Sequence, residues 1–162
     1  MTGTKALRGT IAAVCAAALL AGCGDRLRGG FGEDAPIESF SAQQIYERAE
    51  FELANDRNES AAEYFAEVER LYPYSEWAPR ALVMQAFAWH EEGNYEEARA
   101  AAQRYLDVYP ATEDAPYAQY LLALSYYDQI EDVGRDQGVT FQALQALREV
   151  IERYPESEYA RS

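Results

Sequence analysis

The chain has 162 residues, 49% hydrophobic and 26% charged, a balance that can bury a core and is not that of a disordered segment. Its 14 basic and 28 acidic residues give a formal charge of −14, the wrong sign for releasing phosphate counterions, which excludes a nucleic-acid partner. One histidine and two cysteines leave almost nothing from which to build a metal centre or a thiol nucleophile.

Residues 1–22 have the form of an export signal. Lys5 and Arg8 make a positive start, and Ile11 to Ala21 is an uncharged apolar run of eleven residues. A membrane-spanning helix needs about 20 such residues, so this run is too short to remain as one. It ends in Leu20-Ala21-Gly22-Cys23, which looks like the lipobox of bacterial lipoproteins and makes Cys23 the expected lipidation site and membrane anchor. Removing residues 1–22 leaves 12 basic against 28 acidic residues, a charge of −16, and no free thiol once Cys23 is acylated. Residues 23–40 hold four of the ten glycines without an apolar period and read as a flexible tether.

From residue 41 onward the chain repeats itself. LYPYSEWAPRA at 71–81 returns as VYPATEDAPYA at 108–118 and as RYPESEYARS at 153–162. Alignment on Pro73, Pro110 and Pro155 gives spacings of 37 and 45 residues, the second being the first plus an eight-residue insertion. Twelve residues before each proline stands an alanine: Ala61, Ala98 and Ala143. Small residues at helix crossings, with a proline closing the second helix of each unit, predict an all-α fold, a tetratricopeptide-like α-solenoid of antiparallel helix pairs. The three repeats are expected at about 41–74, 75–111 and 112–156, within a 41–162 body.

In order, Ser41 and Gln44 form a capping box that opens a helix to about Ala54, and Asn55 to Asn58 breaks it. A second helix, roughly Glu59 to Tyr72, stops at Pro73. Repeat two opens with Ser75 as a cap and ends its first helix at Gly93; Asn94 and Glu97 then offer a second capping box for a helix to Tyr109. Repeat three is expected as helices from Pro116 to Ile130 and from Phe141 to Tyr154, with the insertion between them. Ala160-Arg161-Ser162 stands where a fourth repeat would start, which reads as a fragment of a longer protein. Tyr72, Tyr109 and Tyr154 are expected to pack repeat on repeat.

No catalytic set can be picked out, because the carboxylates are scattered along helix surfaces and His90 stands alone. No enzyme activity, cofactor or metal is expected. Function is expected instead on the first helices of each pair, which line the concave face of such superhelices. Counting back from the prolines selects Gln43, Tyr46, Glu50 and Leu53, then Arg80, Val83, Phe87 and His90, then Tyr117, Tyr120, Leu124 and Tyr127. The peptide-binding candidates among these are Tyr46, Arg80, Phe87, His90, Tyr117, Tyr120 and Tyr127, an aromatic set with one strong cation. Asp132, Arg135 and Asp136 in the insertion are candidates for a partner loop.

Five stretches carry a family resemblance: LAGC at 20–23, YPYSEWAPRA at 72–81, GNYEEARAAAQRYL at 93–106, YAQYLLALSYYDQIEDVGRDQ at 117–137 and RYPESEYAR at 153–161. Together they resemble the outer-membrane protein assembly lipoprotein family called BamD, ComL or YfiO. The resemblance implies a non-enzymatic scaffold of the β-barrel assembly machinery, lipid-anchored on the periplasmic face of the outer membrane. Its implied partners are BamA and other Bam subunits, and unfolded β-barrel substrates. Family members have five repeats against three here, which bears on BamA binding. The competing expectation is a generic periplasmic repeat lipoprotein, such as a pilotin or a cell-wall coordination factor.

Overall fold

The computed structural model describes residues 35–130 and 137–161. Residues from Ile37 onward form one unit, and its described part contains six α-helices and no strand. These are α1 (Ala42–Leu53), α2 (Asn58–Leu71), α3 (Trp77–Glu91), α4 (Tyr95–Val108), α5 (Ala115–Tyr127) and α6 (Gln137–Arg153), with short 3-10 turns at Ile37–Ser39 and Glu158–Ala160. Each helix packs on its neighbours in sequence, and α3 also touches α1 and α5. First helices therefore form a continuous inner row, the arrangement of a tetratricopeptide-like stack.

The helix ends follow from local chemistry. Ser41 caps α1 as expected, its Oγ accepting from the Gln44 amide while the Gln44 side chain accepts from the Ser41 amide. Asp56 and Gly93 have φ of 56° and 82°, and each is followed by a residue whose amide reaches back to close the end of α1 or α3. Tyr72 and Tyr109 leave the helical region, with φ of −134° and −126°, because the following proline excludes it.

Two expected caps are different in the structure. Ser75 makes no cap to α3: Glu76 already has helical angles, and the Ser75 hydroxyl donates back to the Tyr72 carbonyl at 2.8 Å. Thr112 and Ser157 do the same toward Tyr109 and Tyr154, also at 2.8 Å, so the recurring hydroxyl closes the proline turn. Asn94 precedes α4 without a side-chain bond because its backbone, at φ −82° and ψ 70°, is not the extended form that capping needs. The final helix starts at Gln137, so part of the insertion is an added turn of α6.

The recurring alanines are where the helices close on one another: Ala61 and Ala98 are fully buried and Ala143 is 2% exposed. A cluster of Leu82, Ala86, Ala102, Tyr105, Leu121 and Leu122 joins repeats two and three. The expected role of the turn tyrosines is visible as well. Tyr72 donates its hydroxyl to the Phe40 carbonyl, Tyr154 reaches the Pro110 carbonyl, and Tyr109 and Tyr154 pack on the central cluster. Phe40 is buried and belongs to the folded body, inside the segment expected as tether. Pro36 stands 37 residues before Pro73, the repeat period, and is the sequence signal for that earlier start.

Candidate peptide-binding groove

The inner row is organised by one contact between repeats. The residue four positions after Pro73 and after Pro155, Trp77 and Tyr159, packs against first-helix rings of the preceding repeat. Trp77 lies 5.0 Å from the Tyr46 ring, and Tyr46 also meets Phe65 edge-on at 5.2 Å. At the other end Tyr159 stacks on Tyr120 at 5.2 Å and leans on Tyr117 at 5.4 Å. Such ring pairs add about 0.5–1.5 kcal/mol beyond the area they bury. Trp77 and Tyr159 are the inner-row aromatics that sequence reading missed; the repeat offset from the prolines marks them both.

Of the seven candidate residues, Tyr46 is 8% exposed, covered by Trp77 and Phe65. Phe87, Tyr117 and Tyr120 are half-buried, Phe87 and Tyr117 against the central cluster and Tyr120 beneath Tyr159. Tyr127 is 58% exposed. Arg80 is exposed, with its guanidinium 5.8 Å from the Trp77 ring centre. His90 is held inside the α3–α5 contact, 5.6 Å from the Tyr95 ring. Its Nδ1 lies 3.2 Å from the Ser125 hydroxyl and its Nε2 3.4 Å from Asp128. Because Ser125 gives its own proton to the Leu121 carbonyl, Nδ1 is the donor to Ser125. Asp132, Arg135, Asp136 and Cys23 lie outside the described residues.

Burial and neighbouring charge raise three of the inner tyrosines further above the neutral range. Tyr117 is pushed up to about 12, first by burial and then by Tyr159, Glu91 and Tyr120. Tyr46 is raised by burial and by Glu50, with Arg80 opposing and Asp114 adding to the rise. Tyr159 is raised by burial and by Glu158. At neutral pH these groups are therefore hydroxyl donors on an apolar surface. That combination can grip an extended chain. Among the described residues no group of three or more histidine, cysteine or carboxylate side chains could hold a metal ion, and no helix is long and apolar enough to cross a membrane.

The chain is 42% identical over 153 residues to the outer membrane protein assembly factor BamD of Caulobacter vibrioides, covering 93% of this chain and 48% of that protein. It is 35% identical over 116 residues to the protein of the same name from Rickettsia prowazekii, covering 72% of this chain and 46% of the relative. Against the Neisseria gonorrhoeae protein it is 26% identical over 139 residues, 79% and 52% of the two chains. The chain thus spans about half the length of the curated relatives it matches. Residues 38–162 match the family described as YfiO, outer membrane lipoprotein, and the chain belongs to that family.

Proposed function

We propose that this chain is the repeat scaffold of a β-barrel assembly factor, lipid-anchored through Cys23 on the periplasmic face of the outer membrane, where it binds unfolded barrel proteins and partner subunits such as BamA. The observation that carries this reading is the inner row of protonated tyrosines and Arg80, in a chain whose relatives are named outer membrane protein assembly factors. Rings with polar tips hold an extended peptide with little rotamer loss, and the work asked of such a subunit is binding rather than chemistry. Family membership favours this over a pilotin or a cell-wall coordination factor. Tyr46, Phe87 and His90 shape the wall, Tyr117, Tyr120 and Tyr127 offer rings, and Arg80 offers the cation. Asp132, Arg135 and Asp136 are proposed as a partner-contacting loop.

Fluorescence anisotropy with a peptide from the aromatic-ended carboxy-terminal segment of a barrel protein tests the site. A central hot-spot ring is worth about 2 kcal/mol, or about thirtyfold in affinity, so Tyr120→Ala should weaken binding by that order while Tyr120→Phe changes it little. Arg80→Ala should also weaken it. Unchanged binding in both alanine variants, with the fold intact by circular dichroism, would move the site off this face.

A further inference from the structure

The position four residues after the turn proline is aromatic at Phe40, Trp77 and Tyr159, counting from Pro36, Pro73 and Pro155, and it is Asp114 after Pro110. The same register puts Arg80 and Val83 where Tyr117 and Tyr120 stand one repeat later. At the last boundary these three positions form a cluster of rings, Tyr117, Tyr120 and Tyr159. At the central boundary they are a cation, a small apolar residue and a carboxylate. The ring stack that seals the other two boundaries is therefore missing between repeats two and three.

Arg80 and Asp114 hold the register positions that Tyr117 and Tyr159 hold at the last boundary, where the two rings lie 5.4 Å apart, so the two charges border the same space. They do not bridge: among the described residues neither the Arg80 guanidinium nor the Asp114 carboxylate has an ion-pair partner, and Asp114 makes no side-chain cap to α5. Trp77 lies under the guanidinium and limits where it can swing. Opposite charges held near one another without closing on each other leave room for a group that carries both an acceptor and a donor. One residue of an extended chain presents its C=O and N–H on the same side, the pair that a neighbouring strand exchanges in an antiparallel sheet. A free carboxylate would satisfy Arg80 but would be repelled by Asp114, and a lysine or arginine side chain would meet the reverse conflict. The charge pattern therefore selects main chain over a charged end group.

We propose, building on the peptide-binding reading above, that Arg80 and Asp114 clamp the backbone of one residue of the bound peptide at the boundary of repeats two and three, Arg80 donating to its carbonyl and Asp114 accepting its N–H. Val83 stands where Tyr120 stands one repeat later, so no ring occupies that position at this boundary. The flanking ring clusters then take side chains on either side, while the clamp reads only that the chain is extended. This lets one groove accept many sequences at one register.

An ester scan tests the clamp. A series of barrel-derived peptides, each with one amide N–H replaced by an ester oxygen, is titrated against wild type, Asp114→Ala and Arg80→Ala, all checked for fold by circular dichroism. One ester position should weaken binding to wild type by about tenfold, the loss of one charge-assisted hydrogen bond, and that penalty should vanish in Asp114→Ala. The Arg80→Ala effect should be equal for peptides ending in a carboxylate or a carboxamide. Tight binding without any ester-sensitive position, or a penalty that survives in Asp114→Ala, would overturn the clamp and leave the groove standing. No binding by any peptide would remove the groove and the clamp with it.

Discussion

Replacing Ala98 by leucine should lower the melting temperature, and the size of the drop tests the repeat register. Ala98 is fully buried in the first turn of α4, which packs between α3 and α5. Three added carbons would contribute about 0.8 kcal/mol each if a space awaited them. In a closed crossing they instead force side chains off their rotamers, for a net cost of about 1–3 kcal/mol. Residues 37–161 unfold with an entropy of about 0.26 kcal/mol/K at the usual value per residue, so the expected drop is about 4–11 °C. Glu96→Leu, two residues earlier on the exposed face of the same turn, should stay within about 0.5 kcal/mol, or about 2 °C. Thermal melts followed by circular dichroism decide it. If the two variants melt together, Ala98 is not at a tight crossing, and the register shared with Ala61 and Ala143 fails.

Glu52 is 3% exposed and held by Arg48, at 2.5 Å, and by Arg57, so Glu52→Ala should destabilise by about 3 kcal/mol in urea titrations, and a loss below about 0.5 kcal/mol would show that the cluster is ornamental. Tyr117 is raised above the free phenol value of 10, so its contribution is fully present below pH 10 and lost as pH rises toward about 12; in urea titrations Tyr117→Phe should lose less stability between pH 9 and 11 than wild type, and equal losses would contradict the burial argument. Cys23→Ser should abolish incorporation of labelled fatty acid, and equal labelling of the two proteins would end the lipoprotein reading.

The fold was legible because its determinants are local and periodic. Pro73, Pro110 and Pro155 each follow the end of a second helix, and an alanine twelve residues before each of them marks a crossing, so three prolines and three alanines give pairs, register and stack. Starts were less legible, since Ser75 and Asn94 carry capping chemistry that the backbone angles beside them do not let them use. The earlier start at Ile37 was hidden by the glycine-rich composition upstream, although Pro36 keeps the period. In the groove, residue types could be read but not their partners. His90 and Tyr46 look alike as inner-face residues, yet one is tied to Ser125 and Asp128 and the other is covered by Trp77, contacts between segments 31 to 38 residues apart. Glu52 reads as a surface acid until Arg57, beyond the turn, folds back on it.

The central claim is that the inner row of first helices receives unfolded barrel proteins, and photo-crosslinking in cells tests it most directly. A benzophenone side chain placed at Gln43 or at Tyr127, both exposed on first helices, should capture newly exported barrel proteins, and the same probe at Gln103, exposed on the second helix α4, should not. Capture from Gln103 with none from Gln43 and Tyr127 would contradict the account.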